Sequence, residues 1–315
     1  MDDGIAARRL AEKVLRRAAV APERAPETSL ERFPDGAQFR IEIPSVEGPE
    51  ALSAVVDAAD SAGVLVNRVS QGSGAMMLKA SELADMAAVG AERGIEVSLF
   101  VGPRDEWDLG ASARSADGAG FYGRVRGARQ LRYAVEDVVR AVEQGIRSFL
   151  VADAGLLELL ADAQRRDELP AETVWKVSAY MAPTNPVTFA QLQRLGASTV
   201  NVPSDMTLGQ LAEMRSVSSL PIDLYVESPD GSGGVVRGHE LGELVRVAAP
   251  LYAKFGLRNS RGLYPSGLHL RGDVIAIARE KVRRAAIGLE WAQRLSPGLT
   301  QSASGAKGLG IPVAP

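Results

Sequence analysis

The sequence predicts a (β/α)8 barrel, in which eight parallel strands alternate with eight helices around one closed sheet. Two observations support this fold class. From residue 38 short β-rich runs alternate with amphipathic helical segments, and eight such units follow one another. The alternative is an open doubly wound sheet, which is disfavoured because no glycine-rich dinucleotide fingerprint follows the first strand.

The chain is expected to have three parts: an N-terminal helix and linker (1–37), the barrel (38–295) and a flexible C-terminal tail (296–315). Residues 5–19 have apolar side chains at helical spacing. We expect this helix to cover the bottom of the barrel or to pack on a partner chain. The tail is rich in Gly, Ser and Pro, so it is expected to be disordered or to close over the mouth as a lid.

The predicted strands are rich in β-branched and aromatic residues. They cover residues 38–43, 64–69, 96–101, 148–153, 174–179, 199–203, 221–226 and 250–255. Several of the helical segments between them end in glycine, which is favoured just past a helix C-terminus. Long loops follow strands three, seven and eight, on the side of the barrel that carries the active site in this fold.

The composition excludes several classes of function. The chain has 315 residues and a formal net charge of −3, so no basic excess indicates nucleic-acid binding. It contains no cysteine, which excludes disulfides, thiolate nucleophiles and cysteine-ligated zinc or iron–sulfur clusters. No apolar run is long enough to span a bilayer, and the charged N-terminal segment lacks the apolar core of a secretory signal. We therefore expect a cytoplasmic protein with neither membrane nor nucleic-acid partners.

Side-chain alternation along the strands predicts an interior with many ionisable groups. If the apolar residues of the seventh strand face the helices, Asp223, Tyr225 and Glu227 face the barrel axis. The same argument gives as inward residues Arg40, Glu42, Lys176, Ser178, Asn201, Tyr252 and Lys254, together with either Asn67 or Arg68. Because an unpaired buried charge is costly, these groups must pair with one another or with a ligand.

The cations near the predicted mouth indicate an anionic small-molecule substrate. Guanidinium groups bind carboxylates and phosphates bidentately, so either anion is suitable. The expected substrate-binding residues are Glu42, Arg68, Arg104, Lys176, Ser178, Asn201, Tyr225, Arg258 and Asn259. Two glycine-rich segments, 231–234 and 71–77, are candidates for binding a phosphate through backbone N–H groups.

Three residues are expected to be catalytic: Glu227, Lys254 and His269. Glu227 is the candidate base, because a neighbouring cation such as Lys254 could adjust its pKa. His269 lies in the long loop after the last strand and is a second candidate for acid–base chemistry. A desolvated Lys176 or Lys254 could instead form a Schiff base.

No organic cofactor is expected, and a divalent metal is an alternative. Its candidate ligands are Glu227, Asp230 and His269. With one histidine among them, the set favours Mg²⁺ or Mn²⁺ over zinc.

A run of short motifs over residues 149–226 carries a family resemblance. Its elements are Val151, Ala152 and Asp153 with Leu156; Ser178 and Asn185; Gly196, Val200, Pro203, Met206 and Leu208; and Pro221. In these elements the chain resembles the collagenase-like peptidase superfamily (peptidase family U32). The resemblance implies a barrel and, in some members, hydrolase activity or hydroxylation by an iron–sulfur cluster. Those members carry a cysteine set after the seventh strand, which is missing here, so cluster chemistry is not expected.

Three functions are therefore considered. The first is a lyase or isomerase acting on an anionic, carboxylate- or phosphate-bearing metabolite at the C-terminal mouth. The second is a peptidase or amidase of the resembled family, and the third is a non-catalytic barrel subunit. A homo-oligomer is expected on general grounds.

Overall fold

The computed structural model describes residues 2–18, 25–105, 112–116, 118–181 and 183–314. Eight strands pair in chain order, each parallel to the next, and the last pairs with the first, which confirms the (β/α)8 barrel. The strands are β1 (Phe39–Pro44), β2 (Arg68–Gln71), β3 (Glu96–Phe100), β4 (Ser148–Val151), β5 (Val174–Val177), β6 (Thr199–Asn201), β7 (Ile222–Glu227) and β8 (Leu251–Phe255).

Helices surround the barrel, and some of them begin at capping residues. They are α1 (Asp2–Arg17), α2 (Pro49–Ala62), α3 (Ala80–Arg93), α4 (Gly127–Glu143), α5 (Ala154–Arg165), α6 (Pro186–Arg194), α7 (Leu208–Val217), α8 (Leu241–Ala248) and α9 (Arg271–Leu295). Asp153 and Asn185 cap α5 and α6 by accepting hydrogen bonds from backbone N–H groups of the first turn. Gly63 ends α2 in the left-handed conformation, with φ 63°. Among the described helices, none combines the length and the apolarity needed to cross a bilayer.

The apolar core lies between the strands and the helices. Ile41 and Ile43 of β1, Trp175 of β5, and Leu224 of β7 are fully buried there. These residues alternate with the polar residues of the same strands. The apolar set therefore faces the helices, as predicted, and the polar set faces the axis.

The second strand begins later than predicted. Its predicted range was 64–69, whereas β2 starts at Arg68. Asn67 lies just before the strand, where its side chain accepts a hydrogen bond from Ile41 N (3.0 Å) and donates one to Ser302 O (3.0 Å). Arg68 is therefore the inward residue.

The two terminal segments lie elsewhere than the composition suggests. Helix α1 packs beside α9 rather than across the bottom of the barrel. Residues 19–24 of the predicted linker are outside the described residues.

The C-terminal tail lies across the N-terminal ends of the strands. Five backbone N–H groups of the described tail residues donate there, at 2.9–3.2 Å. The pairs are Thr300 to the Gln38 side chain, Ser302 to Phe39 O, Gly305 to Gly94 O, Gly310 to the Glu96 carboxylate, and Val313 to Gly145 O. A free tail or a lid over the mouth was expected. The structure instead places this segment at the opposite end of the barrel.

Candidate active site

Charged side chains of distant strands meet inside the barrel. Arg68 of β2 lies 3.1 Å from Asp223 of β7 and 2.7 Å from Glu96 of β3. Lys176 of β5 forms an ion pair with Glu42 of β1. Strands β2 and β7, like β1 and β5, are not neighbours, so these contacts can form only across the interior. The inward orientation predicted for Glu42, Lys176 and Asp223 is therefore correct. Arg68 is inward as well, and Glu96 joins the network without having been predicted.

Glu42 is the centre of this network. Its side chain accepts a hydrogen bond from Ser70 (2.7 Å) and lies 3.4 Å from Arg68 and 3.5 Å from Lys254. Burial by itself raises the pKa of Glu42, but Lys176, Lys254 and Arg68 outweigh it and hold this pKa well below its usual value. Glu42 is thus a permanent carboxylate and a poor proton acceptor.

The two buried lysines beside Glu42 differ in protonation. Burial lowers the pKa of Lys176 to about 7, although Glu42 partly opposes this. Burial also lowers the pKa of Lys254, but there Glu42 and Tyr225 outweigh it and the net shift is upward. At neutral pH Lys254 is therefore an ammonium ion, while Lys176 gives up its proton more readily than Lys254 does.

A cavity of about 80 Å³ opens above the network at the C-terminal ends of the strands. This volume admits several water molecules or a compact metabolite. Its polar lining comprises Ser45, Ser70, Gln71, Arg104, Ser178, Asn201, Ser232 and Lys254, and its aromatic lining Phe100, Tyr180, Tyr225 and Tyr264. We call this space the mouth cavity.

Lys254 is the buried ammonium ion of the mouth cavity. It donates a hydrogen bond to Asn201 Oδ1 and lies 4.2 Å from the ring centroid of Tyr225. Asn201 in turn donates to Val177 O (2.6 Å), which fixes its amide orientation. The neighbours of Lys254 therefore hold its Nζ at one position in the cavity wall.

The predicted site residues fall into three groups. Five line the mouth cavity: Lys254, Arg104, Ser178, Asn201 and Tyr225. Three lie fully buried in the network beneath it: Glu42, Arg68 and Lys176. The remaining four are Glu227, His269, Arg258 and Asn259, and the described lining includes none of them.

Glu227 does not face the axis, contrary to the prediction from alternation. A β-bulge between Tyr225 and Glu227 shifts the register, so that Glu227 pairs with Phe255, a core residue on the helix side. Its carboxylate accepts a hydrogen bond from Arg258 N (3.0 Å) and lies 3.7 Å from Arg284 of α9. The bulge thus turns this carboxylate toward the outer layer.

The other predicted loop residues lie on the surface. His269, Arg258 and Asn259 are exposed, and Arg258 Nε lies 3.8 Å from the exposed Asp230. Within the described ranges, no group of three or more His, Cys, Asp or Glu side chains could hold a metal ion. The structure therefore does not bring the proposed ligands Glu227, Asp230 and His269 together.

The first glycine-rich segment, 231–234, uses its N–H groups internally. Ser232 and Gly234 donate to Pro229 O (2.9 and 3.1 Å), and Gly233 donates to Asp230 O (3.1 Å). These amides do not form the expected phosphate cradle.

The second segment, 71–77, is already occupied by a carboxyl group of the protein. Gly72 N and Ser73 N donate to the carboxylate of Glu47 (2.7 and 3.1 Å), and Gly74 N donates to the side chain of Gln71 (3.0 Å). A phosphate would have to displace Glu47, so this segment also lacks the expected cradle.

Sequence reasoning missed several residues of the site. Glu96 carried a usable signal, because it alternates with the core residues Val97 and Leu99. Ser70 lies two residues after Arg68 on β2 and so shares its facing. Ser45 and Tyr264 lie in loops, where no alternation applies, and their positions depend on contacts between distant loops.

No family model matches this chain, and no curated protein matches it in sequence. Its fold is similar to several solved structures. The protein CutC from Streptococcus agalactiae, described in connection with copper homeostasis, shares 14% identity over 68% of this chain and 97% of its own, with a TM-score of 0.48. A U32 peptidase shares 17% identity over 66% of this chain and 73% of its own, with a TM-score of 0.38.

The carboxyl transferase domain of Rhizobium etli pyruvate carboxylase is a further similar structure. It shares 13% identity over 85% of this chain and 49% of its own, with a TM-score of 0.45. All three similarities concern the fold alone, and none assigns an activity. The resemblance to the collagenase-like peptidases implies a barrel, and the strand pairing confirms that fold.

Proposed function

We propose that this chain is an enzyme of small-molecule metabolism that binds a compact carboxylate in the mouth cavity and catalyses a lyase-type reaction. The observation that carries the proposal is Lys254, a buried ammonium ion held by Asn201 in the wall of a small cavity. A buried cation facing a cavity attracts an anion more strongly than an exposed one, because water screens it less.

A carboxylate fits better than a phosphate. The two glycine-rich segments that could hold a phosphate donate their N–H groups to other protein groups. The cavity volume of about 80 Å³ also favours a short ligand.

The lining favours electrophilic catalysis over hydrolysis. Of the described residues that line the cavity, none is a carboxylate or a histidine, so no base stands beside a serine nucleophile. Ser70 does donate to Glu42, but the lowered pKa of Glu42 makes it unable to take the proton of Ser70. Among the described residues that line the cavity, the peptidase alternative thus has no activated serine nucleophile to support it.

An ammonium ion suits cleavage of a C–C bond beside a carbonyl group. In the decarboxylation of a 3-oxo acid, the C–C bond breaks, carbon dioxide leaves and the electron pair forms an enolate. Lys254 would stabilise the negative charge that develops on the enolate oxygen. A proton from Lys254 or water then completes the product, and this step needs no carboxylate base.

Cleavage of oxaloacetate and acetoacetate, followed by NMR with a chelator present, tests the proposal. We expect the wild type to accelerate cleavage over the protein-free reaction and Lys254→Met to lose about a hundredfold in rate. Lys307→Met, which removes an exposed lysine, is the matched control and should keep full activity.

Calorimetric titration of the same acids distinguishes the proposed enzyme from a barrel that binds them without catalysis. Binding that is lost in Lys254→Met, without any cleavage by the wild type, would favour a non-catalytic binding barrel. Equal behaviour of the wild type and Lys254→Met in both measurements would refute the mouth cavity as the site.

A further inference from the structure

The loop after β8 brings an aromatic side chain across the mouth. Tyr264 lies in the segment between β8 and α9, yet its hydroxyl is hydrogen-bonded to Ser45, which follows β1. Its side chain lines the mouth cavity together with Lys254. The residue is 43% exposed, so it forms part of the outer wall of the cavity rather than its floor.

The ring of Tyr264 occupies space left by a glycine. A Cβ at Gly72 would overlap the phenol ring, and the backbone of Gly72 is not in the left-handed region that favours glycine. Glycine is therefore required here because the ring of Tyr264 packs against it, and not because of its backbone conformation. Gly72 is itself held in place, because its N–H donates to Glu47 (2.7 Å) and its carbonyl accepts from Arg104 (2.6 Å).

A second contact fastens the same loop to the same neighbour. Ser266 N donates to Ser73 Oγ (2.8 Å), one residue past Gly72. Other residues of the loop, including Arg261 and Gly262, are exposed. The loop thus touches the β2 side of the mouth through Tyr264 and Ser266.

We propose that Tyr264 is the residue that sets the size of the ligand, by closing the wall of the mouth cavity against Gly72. This inference rests on the proposed function, since it takes the mouth cavity as the ligand site. It specifies the substrate class as short-chain carboxylates, whose length is limited by the phenol ring. Removing the ring opens the cavity toward solvent and admits longer acids.

We call the closure of the cavity wall by Tyr264 the Tyr264 gate. Reductive alkylation of Lys254 by aldehydes of different size measures how strictly this gate limits access, without knowledge of the natural ligand. The probes are formaldehyde, glyoxylate and 4-carboxybenzaldehyde with borohydride at about pH 9, because an aldehyde condenses only with a free amine and Lys254 is an ammonium ion at neutral pH. Peptide mass spectrometry reads each lysine separately. In the wild type we expect modification of Lys254 to fall steeply with aldehyde size. In Tyr264→Ala the rate with 4-carboxybenzaldehyde should rise by about tenfold, which is the scale of size discrimination by a pocket wall. Exposed Lys307 should react equally in both proteins.

Gly72→Ala should reproduce the effect of Tyr264→Ala, because the added methyl group displaces the ring. In the double variant the two changes should not add, since the methyl group then has no ring to displace. Gly262→Ala is the matched control: it lies in the same loop, and a Cβ there meets no atom within 4 Å. Tyr264→Phe keeps the ring and should keep the wild-type size profile.

The proposal would be overturned if the rate of Lys254 modification depended on aldehyde size in the same way in the wild type, Tyr264→Ala and Gly72→Ala. If Tyr264→Ala fails to fold, as judged by circular dichroism, Gly72→Ala alone decides by the same criterion. This outcome is independent of the proposed reaction. If size selection depends on Tyr264 but no oxo acid is cleaved, the role of Tyr264 is supported and the lyase activity is refuted. If the wild type cleaves an oxo acid but size selection is unchanged in the variants, the lyase activity is supported and the role of Tyr264 is refuted.

Discussion

The two ends of the barrel interior both contain buried cations, but their surroundings differ. At the closed end, under the C-terminal tail, Arg40 donates to Ser302 Oγ (2.9 Å), Tyr252 Oη (2.8 Å) and Lys307 O (2.7 Å). The ring centroid of Phe33 lies 4.0 Å from its guanidinium carbon. At the mouth, Lys254 has Asn201 and Glu42 on the protein side and the cavity beside it.

This difference shows what marks a site in a barrel with a charged interior. An inward cation alone is not diagnostic, because Arg40 is inward and its donors are used by the protein. The tail supplies two of its acceptors, Ser302 and Lys307, so the closed end is a structural assembly. A cation that borders open space, as Lys254 does, is the one available to a ligand.

The largest effect on stability is expected from Arg68→Met. This change removes the cation that lies among Glu42, Glu96 and Asp223, and leaves buried carboxylates with fewer partners. Breaking a buried ion pair on one side typically costs about 3–5 kcal/mol. Urea-induced unfolding followed by circular dichroism should show a loss of this size.

Lys254→Met is the comparison for that experiment. Glu42 keeps Lys176 and Arg68 in this variant, so its cost in stability should be smaller than that of Arg68→Met. A larger loss in Lys254→Met would contradict the view that Arg68 holds the buried network together while Lys254 serves the mouth cavity.

A pH effect of intermediate size is expected from Lys176, which lies between the two ends. Burial lowers the pKa of Lys176 to about 7 in the folded protein, against 10.5 for an exposed lysine. Between these values the unfolded chain binds more protons than the folded one, so the stability contribution of Lys176 rises with pH and is lowest below pH 7. Relative to Lys176→Met, the wild type should gain roughly 1 kcal/mol of unfolding free energy per pH unit from about pH 7 to 10.

Lys281 is also buried and has a pKa lowered by burial to about 7, but it is present in both proteins and cancels in the difference. The exposed Lys307→Met variant should run parallel to the wild type across this range. If the unfolding free energy of Lys176→Met shows the same pH dependence as that of the wild type, Lys176 stays protonated in the folded protein. Lys176 and Lys254 would then not differ in protonation as described.

The sequence allowed the barrel and much of its interior to be predicted, because strand alternation depends on local pattern alone. Asp223 and Lys176 were found in this way: their apolar neighbours must face the helices. The same rule failed at Glu227, because a β-bulge adds one residue to the strand. The side chains after the bulge then point to the opposite face of the sheet from the one that strict alternation predicts. A bulge leaves no mark in the hydrophobic pattern.

Two other features could not be predicted, since they depend on contacts between distant segments. Gly310 of the tail binds Glu96 through its backbone N–H, a group that every residue except proline has, so composition alone indicated disorder. Tyr264 reaches Gly72 across the mouth, and no periodicity links two loops. The parts of the site that lie on strands were therefore accessible from the sequence, while its outer wall was not.

The smallest effect is expected from Glu227→Gln, which tests whether the mouth cavity or the predicted base is functional. Glutamine keeps an acceptor for Arg258 N, and the charge that is lost lies 3.7 Å from the partly exposed Arg284. Glu227 is buried, but Arg284 is partly exposed and keeps Glu280 (3.0 Å) as a partner, so the loss of stability should be about 1 kcal/mol. Oxo-acid binding, measured by calorimetry, should equal that of the wild type, as should binding by the parallel His269→Gln variant. Loss of binding in Glu227→Gln, with stability retained, would move the functional site from the mouth cavity to the outer face of β7 and would remove the distinction drawn between the two ends.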